Sequence, residues 1–383
     1  MKKHKDFCII MAGGEGRRLW PQSRKYLPKQ FIDFFGTGRT LLQQTYDRFA
    51  AFIPATQIYV STYRDYVDLV REQLPDLPLE NVLVEPVQLS TAPAAAWASC
   101  HIGMREPDAA IIVTPADQHI VREERFREQV QRALDFVADN DVFVAMGVKT
   151  TVPNTAYGYI QMGNPVKEGV LYNVKSFQEK PAAEYARLFV ESGEFLWNTG
   201  LFVWSARSMQ QLLREVTPVV AERIEAAHGQ MSRDEELTLV REYYPSNLNQ
   251  SIDLMLLGRG KNVYVYECDF GWADVGCWPE LYEVAHKDVD GNALLGAGKV
   301  LLSQPQRSVH ARGARRHHQG AGGLPRGRVR QRAGHLSQRR SHDRAPAGRR
   351  DPCEARRGIP VRGAAACAGS MSMRARPMRR DPR

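Results

Sequence analysis

The chain has 383 residues, room for one large or two ordinary domains with a real core, and a net charge of +9. It holds no apolar run of the ~18 residues that a membrane span needs and no signal-like stretch behind its basic start, so a soluble cytoplasmic protein with no membrane partner is expected. Six cysteines, at 8, 100, 268, 277, 353 and 367, make no CxxC or His/Cys cluster, which argues against a zinc site and a disulfide framework. The charge is unevenly placed: residues 1–304 hold 31 Lys and Arg against 39 Asp and Glu, a net of −8, while 305–383 hold 21 Arg and 4 acids, a net of +17.

In chain order, the apolar run Phe7–Met11 reads as a buried strand that empties into Gly13-Gly14-Glu15-Gly16-Arg17-Arg18. Leu41, Leu42, Thr45 and Phe49 recur at helical spacing. Gln57–Ser61 is a short strand, Tyr66–Leu74 a helix ended by Pro75, and Val82–Val84 a strand leading to Glu85-Pro86. Ser90 or Thr91 can cap an alanine-rich helix with Pro93 in its first turn. Ala109–Val113 is a strand ending in TPADQH, a helix covers about 123–138, and Asp141–Gly147 is the next strand. Strands separated by single helices predict a Rossmann-like, mixed but mostly parallel α/β sheet flanked by helices, with ligands at the carboxyl ends of the strands. The loops after Met11, Val84 and Val113 should then face one crevice.

The middle of the chain is more antiparallel. Tyr157–Ile160 and Val170–Phe177 read as strands, followed by a helix over about 182–192 and an aromatic strand, Phe195–Trp204, broken by Asn198-Thr199-Gly200. Helices are expected near 208–214, 218–228 and 233–243, then a strand at Val263–Tyr266, the FGWADVG turn, and a short helix near 280–286. From Pro305 there is no Phe, Tyr, Trp or Lys, and burial cannot offset chain entropy. The change in composition sets off an Arg-rich tail over 305–383. Arg without Lys, among Ala, Gly and Pro, is what a GC-rich gene gives when read in the wrong frame. The tail is read as frameshifted or disordered in preference to a nucleic-acid-binding arm.

The glycine loop suits phosphate: backbone N–H groups form an anion nest, and Arg17 and Lys29 add positive charge. It is neither a Walker loop nor a dinucleotide fingerprint, because Leu19 stands where a third glycine is wanted and Pro21 and Pro28 forbid a long helix. Asp117 and Asp274 are carboxylates in turns, suited to Mg²⁺. His119 beside Asp117 is read as structural. Glu179-Lys180 offers an acceptor and a cation side by side, and the Asn198 amide in an apolar strand needs partners that a sugar hydroxyl could supply.

Together these segments resemble the sugar-1-phosphate nucleotidyltransferases, and within them the mannose-1-phosphate guanylyltransferase (GDP-mannose pyrophosphorylase) family. The matching pieces are MAGGEGRRLWPQSRKYLPKQF, STAPA at 90–94, TPADQHI at 114–120, YGYI at 157–160, FQEKP at 177–181, WNTGLF at 197–202 and FGWADVGCW at 270–278. The resemblance covers about residues 6–300 and implies the nucleotide-diphospho-sugar transferase fold, with a catalytic domain over 1–290 and the start of a truncated C-terminal β region over 291–304. It implies that Gly13, Gly14 and Gly16 line the GTP phosphates, with Arg17 and Lys29 as the catalytic cations. It places Glu85, Thr91 and Ala92 by the nucleotide and Asp117 and Asp274 on Mg²⁺. It gives Gly158, Glu179, Lys180 and Asn198 to mannose 1-phosphate. It also implies a homodimer, weakened by the aberrant C-terminus. The rival readings are a relative that uses UTP or dTTP with glucose 1-phosphate, and a non-catalytic homologue that keeps the fold.

Overall fold

A computed structural model describes residues 4–295 except 168, 227–230, 244–248, 259–261, 288 and 290–292, and beyond these only the strand positions 308–311 and 336–337. Most of the expected tail therefore lies outside the described residues. Its strands are β1 (Asp6–Met11), β2 (Ile58–Tyr63), β3 (Val82–Glu85), β4 (Ala110–Pro115), β5 (Gln118–Ile120), β6 (Phe143–Lys149), β7 (Gly158–Lys167), β8 (Leu171–Glu179), β9 (Phe195–Ser205), β10 (Val263–Cys268), β11 (Trp272–Asp274), β12 (Ala293–Leu295), β13 (Ser308–Ala311) and β14 (Leu336–Ser337). Its helices are α1 (Leu41–Ala50), α2 (Val67–Gln73), α3 (Thr91–Gly103), α4 (Glu123–Asp139), α5 (Ala183–Ser192), α6 (Ala206–Val216), α7 (Pro218–Ala226), α8 (Arg233–Tyr243), α9 (Ile252–Leu257) and α10 (Trp278–Val284).

Nine strands form one sheet in the order β3-β2-β1-β4-β9-β6-β10-β8-β7. β1 runs parallel to β2 and β4, β2 to β3, and β6 to β10, whereas β9 and β8 run against their neighbours. The sheet is thus mixed but mostly parallel, as the strand–helix alternation predicts. Both faces are covered. Along β1, Cys8 and Ile10 join the core on one face while Phe7 and Ile9 join the core on the other. A fully buried β1 explains why its sequence is a continuous apolar run.

Three details differ from the sequence reading. TPADQHI and FGWADVG each contain a short strand, and β5 and β11 pair antiparallel with Gln118 opposite Asp274. A three-residue strand buries too little to show periodicity in sequence. Helix α9 has no counterpart among the expected elements; it is one and a half turns long and is held by the Ser251 hydroxyl, which accepts from Leu254 N at 3.3 Å. Finally, β12 lies in the segment read as the start of a C-terminal β region, and it pairs parallel with β13, past residue 304.

Strand β9 carries the feature that shapes the site. Its register against β6 shifts between Met146 and Gly147, opposite Asn198-Thr199-Gly200. Gly200 takes φ 75°, open to glycine at no steric cost. The irregularity turns the Thr199 carbonyl toward Gln118, whose Nε2 donates to it, while Thr199 Oγ1 donates to Met146 O at 2.6 Å. The broken strand is therefore tied to β5, which follows Asp117.

Candidate active site

The loop after β1 is held by side chains that face inward. Gln30 Nε2 donates to Ala12 O and to Gly14 O, each at 2.9 Å, and Thr62 Oγ1 donates to Ala12 O at 3.1 Å. Gly13 lies against the next strands: a Cβ there would stand 3.0 Å from Glu85 Oε1. Glu85 is buried and accepts from Ser61 Oγ at 3.3 Å. Gly14 has open space where a side chain would be. Gly16, at φ 64°, begins a 3₁₀ turn, Arg17–Leu19. Leu19, the residue that spoils the dinucleotide fingerprint, is fully buried in a cluster with Val275 and Leu281. This apolar plug fastens the phosphate-type loop to the FGWADVG segment. Pro28 caps a second 3₁₀ turn, Lys29–Phe31, so the two prolines shape the loop as expected.

That fastening gathers charge. Lys29 Nζ pairs with Asp117 Oδ2, both side chains mostly buried. Asp274 lies close by through the β5–β11 pairing, and Arg18 Nη2 sits 3.9 Å from its Oδ2. Burial pushes the Asp274 carboxyl up to about 6, with Lys29 pulling it down and Asp117 and Glu280 pushing it further up. Burial alone would lower the Lys29 ammonium, but the Asp117 and Asp274 carboxylates outweigh it and hold Lys29 above the ordinary lysine range. Arg17 points elsewhere: its side chain is 84% exposed and pairs with Glu15. Of the two arginines, Arg18 is therefore the one beside the carboxylates. Two neighbouring arginines look alike in sequence, and only the tightness of the 3₁₀ turn separates them. His119 packs against Phe35 with centroids 5.1 Å apart and the ring planes tilted by 43°, a packing role.

A second group forms where β7, β8, β9 and α9 meet. Gly158 and Glu179 are cross-strand partners in β7 and β8. A Cβ on Gly158 would stand 2.8 Å from Glu179 Oε2, so only glycine lets the carboxylate cross there. Lys180, at φ 45°, pairs with Glu179, and its N–H donates to Tyr157 O at 3.2 Å. The Asn198 amide is fixed at both ends: Oδ1 accepts from Gly200 N at 3.0 Å, and Nδ2 donates to Asp253 Oδ1. Burial raises the Asp253 pKa against the Asn198 bond, with Glu179 adding to the rise. Asp253, on α9, joins this group from a segment that carries no motif signal.

The STAPA segment packs onto the start of α9. Thr91 Oγ1 accepts from Ile252 N at 2.9 Å, Ala92 N donates to Gln250 O at 3.1 Å, and Ser90 N donates to Asn249 Oδ1 at 3.1 Å. Thr91 is exposed, while the Ala92 methyl is fully buried in the core. At this position alanine serves close helix packing.

The glycine-rich loop after β1, the mostly buried Lys29 and the two carboxylates near it mark a nucleotide-handling α/β protein. The chain matches the nucleotidyl transferase family over residues 7–291 and belongs to it. It is 33% identical over 301 residues to the mannose-1-phosphate guanylyltransferase of Escherichia coli, covering 77% of this chain and 63% of that protein. It is 34% identical over 293 residues to the alginate biosynthesis protein AlgA of Pseudomonas putida, covering 75% of this chain and 60% of that protein. Among solved structures, it superposes on mannose-1-phosphate geranyltransferase from Thermus thermophilus with a TM-score of 0.70 and 30% identity, over 81% of this chain and 93% of that one. The chain thus spans about three fifths of the length of the two curated relatives.

Proposed function

We propose that this protein transfers GMP from GTP to mannose 1-phosphate, releasing pyrophosphate and forming GDP-mannose. The observation that carries the reading is Lys29: it leaves the second turn of the phosphate-type loop and ends on Asp117, beside Asp274. One side chain thereby connects the loop suited to phosphates with the carboxylates suited to a divalent cation. The names of the relatives, and the positions of Gly158, Glu179 and Asn198, support mannose 1-phosphate as acceptor.

The residues fit Mg²⁺. What they offer is a pair of carboxylates: Asp117 stands near enough to push the Asp274 carboxyl up, with Lys29 on Asp117 and Arg18 3.9 Å from Asp274. Asp117 and Asp274 would hold the ion, which offsets negative charge on the phosphate oxygens when bound. The rest falls to the chain. The glycine loop offers backbone N–H groups to the triphosphate, and Lys29 places a positive charge beside the transferred phosphoryl group. Glu179 and Asn198 orient the sugar so that its phosphate oxygen faces the α-phosphorus. That oxygen forms the new bond to the α-phosphorus as the α–β bridge bond breaks and pyrophosphate departs. The nucleophile is already anionic near neutral pH, so no side chain has to remove a proton.

A pyrophosphate-release assay tests the reading, with GTP, UTP or dTTP paired with mannose 1-phosphate or glucose 1-phosphate, with and without Mg²⁺. Turnover confined to GTP with mannose 1-phosphate and abolished by chelation is expected. Turnover with UTP or dTTP but not GTP would assign a different branch, and none with any pair would leave a non-catalytic homologue.

A further inference from the structure

We infer that Gln88 is a positioning residue for the glycine loop: its amide fixes the Gly13–Gly14 peptide so that the Gly14 N–H is presented to the phosphates of a nucleoside triphosphate. This rests on the proposed nucleotide-transfer reading of the site. Glycine lets a peptide plane turn at little cost, so a loop that binds an anion through backbone N–H groups needs its planes held. Every carbonyl from Ala12 to Gly16 accepts a hydrogen bond. Ala12 O is held by Gln30 and Thr62, and Gly14 O by Gln30. Glu15 O accepts from Ser23 Oγ at 3.1 Å and Gly16 O from Leu19 N at 3.1 Å. Gly13 O accepts from Gln88 Nε2 at 2.9 Å. In a trans peptide the following N–H points opposite to the carbonyl, so these bonds aim the N–H groups of residues 13–16 away from their anchors. Among the described residues, none of those N–H groups has a hydrogen-bond partner of its own.

Gln88 differs from the other anchors. Gln30 and Thr62 are buried, whereas Gln88 is exposed and reaches the loop from the connection between β3 and α3. That connection is fastened on both sides of it: Pro86 O accepts from Arg64 Nη2 at 3.4 Å, and Ser90 N donates to Asn249 Oδ1 at 3.1 Å. A carbonyl can only accept, so Gln88 must present its Nε2 to Gly13 O. Packing cannot replace this bond, because a Cβ on Gly14 would meet no atom within 4 Å. Without Gln88 the Gly13–Gly14 peptide is free to turn, and the Gly14 N–H is no longer aimed.

The test is calorimetric titration of the full-length chain with GTP and with GMP, which lacks the β- and γ-phosphates. Gln88→Met keeps the side-chain length without a donor and should weaken GTP about tenfold, the worth of one hydrogen bond, and GMP by less than about twofold. Gln88→Glu sets an acceptor against Gly13 O and should weaken GTP further. Gln88 is exposed, so neither variant disturbs the core. The KM for mannose 1-phosphate should stay near the wild-type value in Gln88→Met, which a general loss of structure would not allow. Unchanged GTP affinity in either variant, with the wild type binding GTP, would overturn the inference and leave the nucleotide reading standing. Equal losses for GTP and GMP would also overturn it, by assigning Gln88 to the base or ribose. No GTP binding by the wild type would overturn both.

Discussion

Gln118 and Asp274 face each other across the β5–β11 ribbon, and this one pairing sets Asp117, the residue before β5, beside Asp274 from the far end of the domain. The two carboxylates are 157 residues apart in sequence. A ribbon with fixed register is a stiffer way to hold like charges together than two independent loops, because backbone hydrogen bonds oppose their repulsion.

Lys29 follows from that geometry. It faces both carboxylates, and its ammonium is held charged by them. Lys29→Ala and Asp274→Ala are each expected to cut turnover with GTP and mannose 1-phosphate by ~10²–10³, the loss that follows removal of one preorganised electrostatic group. Steady-state pyrophosphate release checks this, and near-normal turnover in either purified variant would refute the assignment. Arg17→Ala, by contrast, should cost less than Arg18→Ala, since Arg17 is exposed on Glu15 while Arg18 reaches Asp274.

Gly158→Ala tests the sugar-phosphate group by steric means. The added methyl would stand 2.8 Å from both Glu179 Oε2 and Phe177 Cε2, so Glu179 must move. The variant should fold, with about 1–3 kcal/mol of overpacking cost. Its KM for mannose 1-phosphate should rise about tenfold, since a displaced carboxylate loses roughly one hydrogen bond's worth of binding. An unchanged KM would place the sugar elsewhere.

Asp253 is a positioning residue for Asn198. Asp253→Ala frees the Asn198 amide to rotate, so it should raise KM for mannose 1-phosphate about tenfold while leaving KM for GTP near its original value. Asp253→Asn keeps one acceptor for Asn198 Nδ2 and should recover much of the loss. Equal changes in both KM values would point to a general structural role instead.

Away from the site, Glu236 is buried between α3 and α8, where its Oε1 accepts from Trp97 Nε1 at 2.8 Å and pairs with His101 Nδ1 at 2.7 Å. Burial would raise its pKa, but the His101 and Trp97 hydrogen bonds and the Arg233 charge outweigh that and hold it below the ordinary value of 4.5. A carboxyl depressed in the fold stabilises the protein above its unfolded pKa and loses that contribution as pH falls through the folded one. Glu236→Gln should therefore lower stability by about 2 kcal/mol at neutral pH, the worth of hydrogen bonds to a charged acceptor. The gap to wild type should close as pH drops below 4.5. Urea midpoints measured across pH check both statements, and a gap that persists in acid would show that shape, not charge, is what the glutamine disturbs.

The sequence alone determined the class of fold and singled out most of the residues of the candidate site. Buried parallel strands are written as continuous apolar runs, such as Phe7–Met11, and the phosphate-type loop as glycines and prolines whose backbone limits are local. Asp117, Asp274, Glu179 and Asn198 stand out because polar groups in turns and apolar strands require partners. The tertiary structure decided which groups meet. Arg18 rather than Arg17 reaches Asp274, because burial of Leu19 sets the phase of a single 3₁₀ turn. Asp253 enters from α9, a helix too short for a periodic signal, and its partner Asn198 lies on β9. Local conformation is set by neighbours in the chain and can be read there. The sharing of charge at a site depends on register, twist and packing, which follow from contacts between residues far apart in the chain.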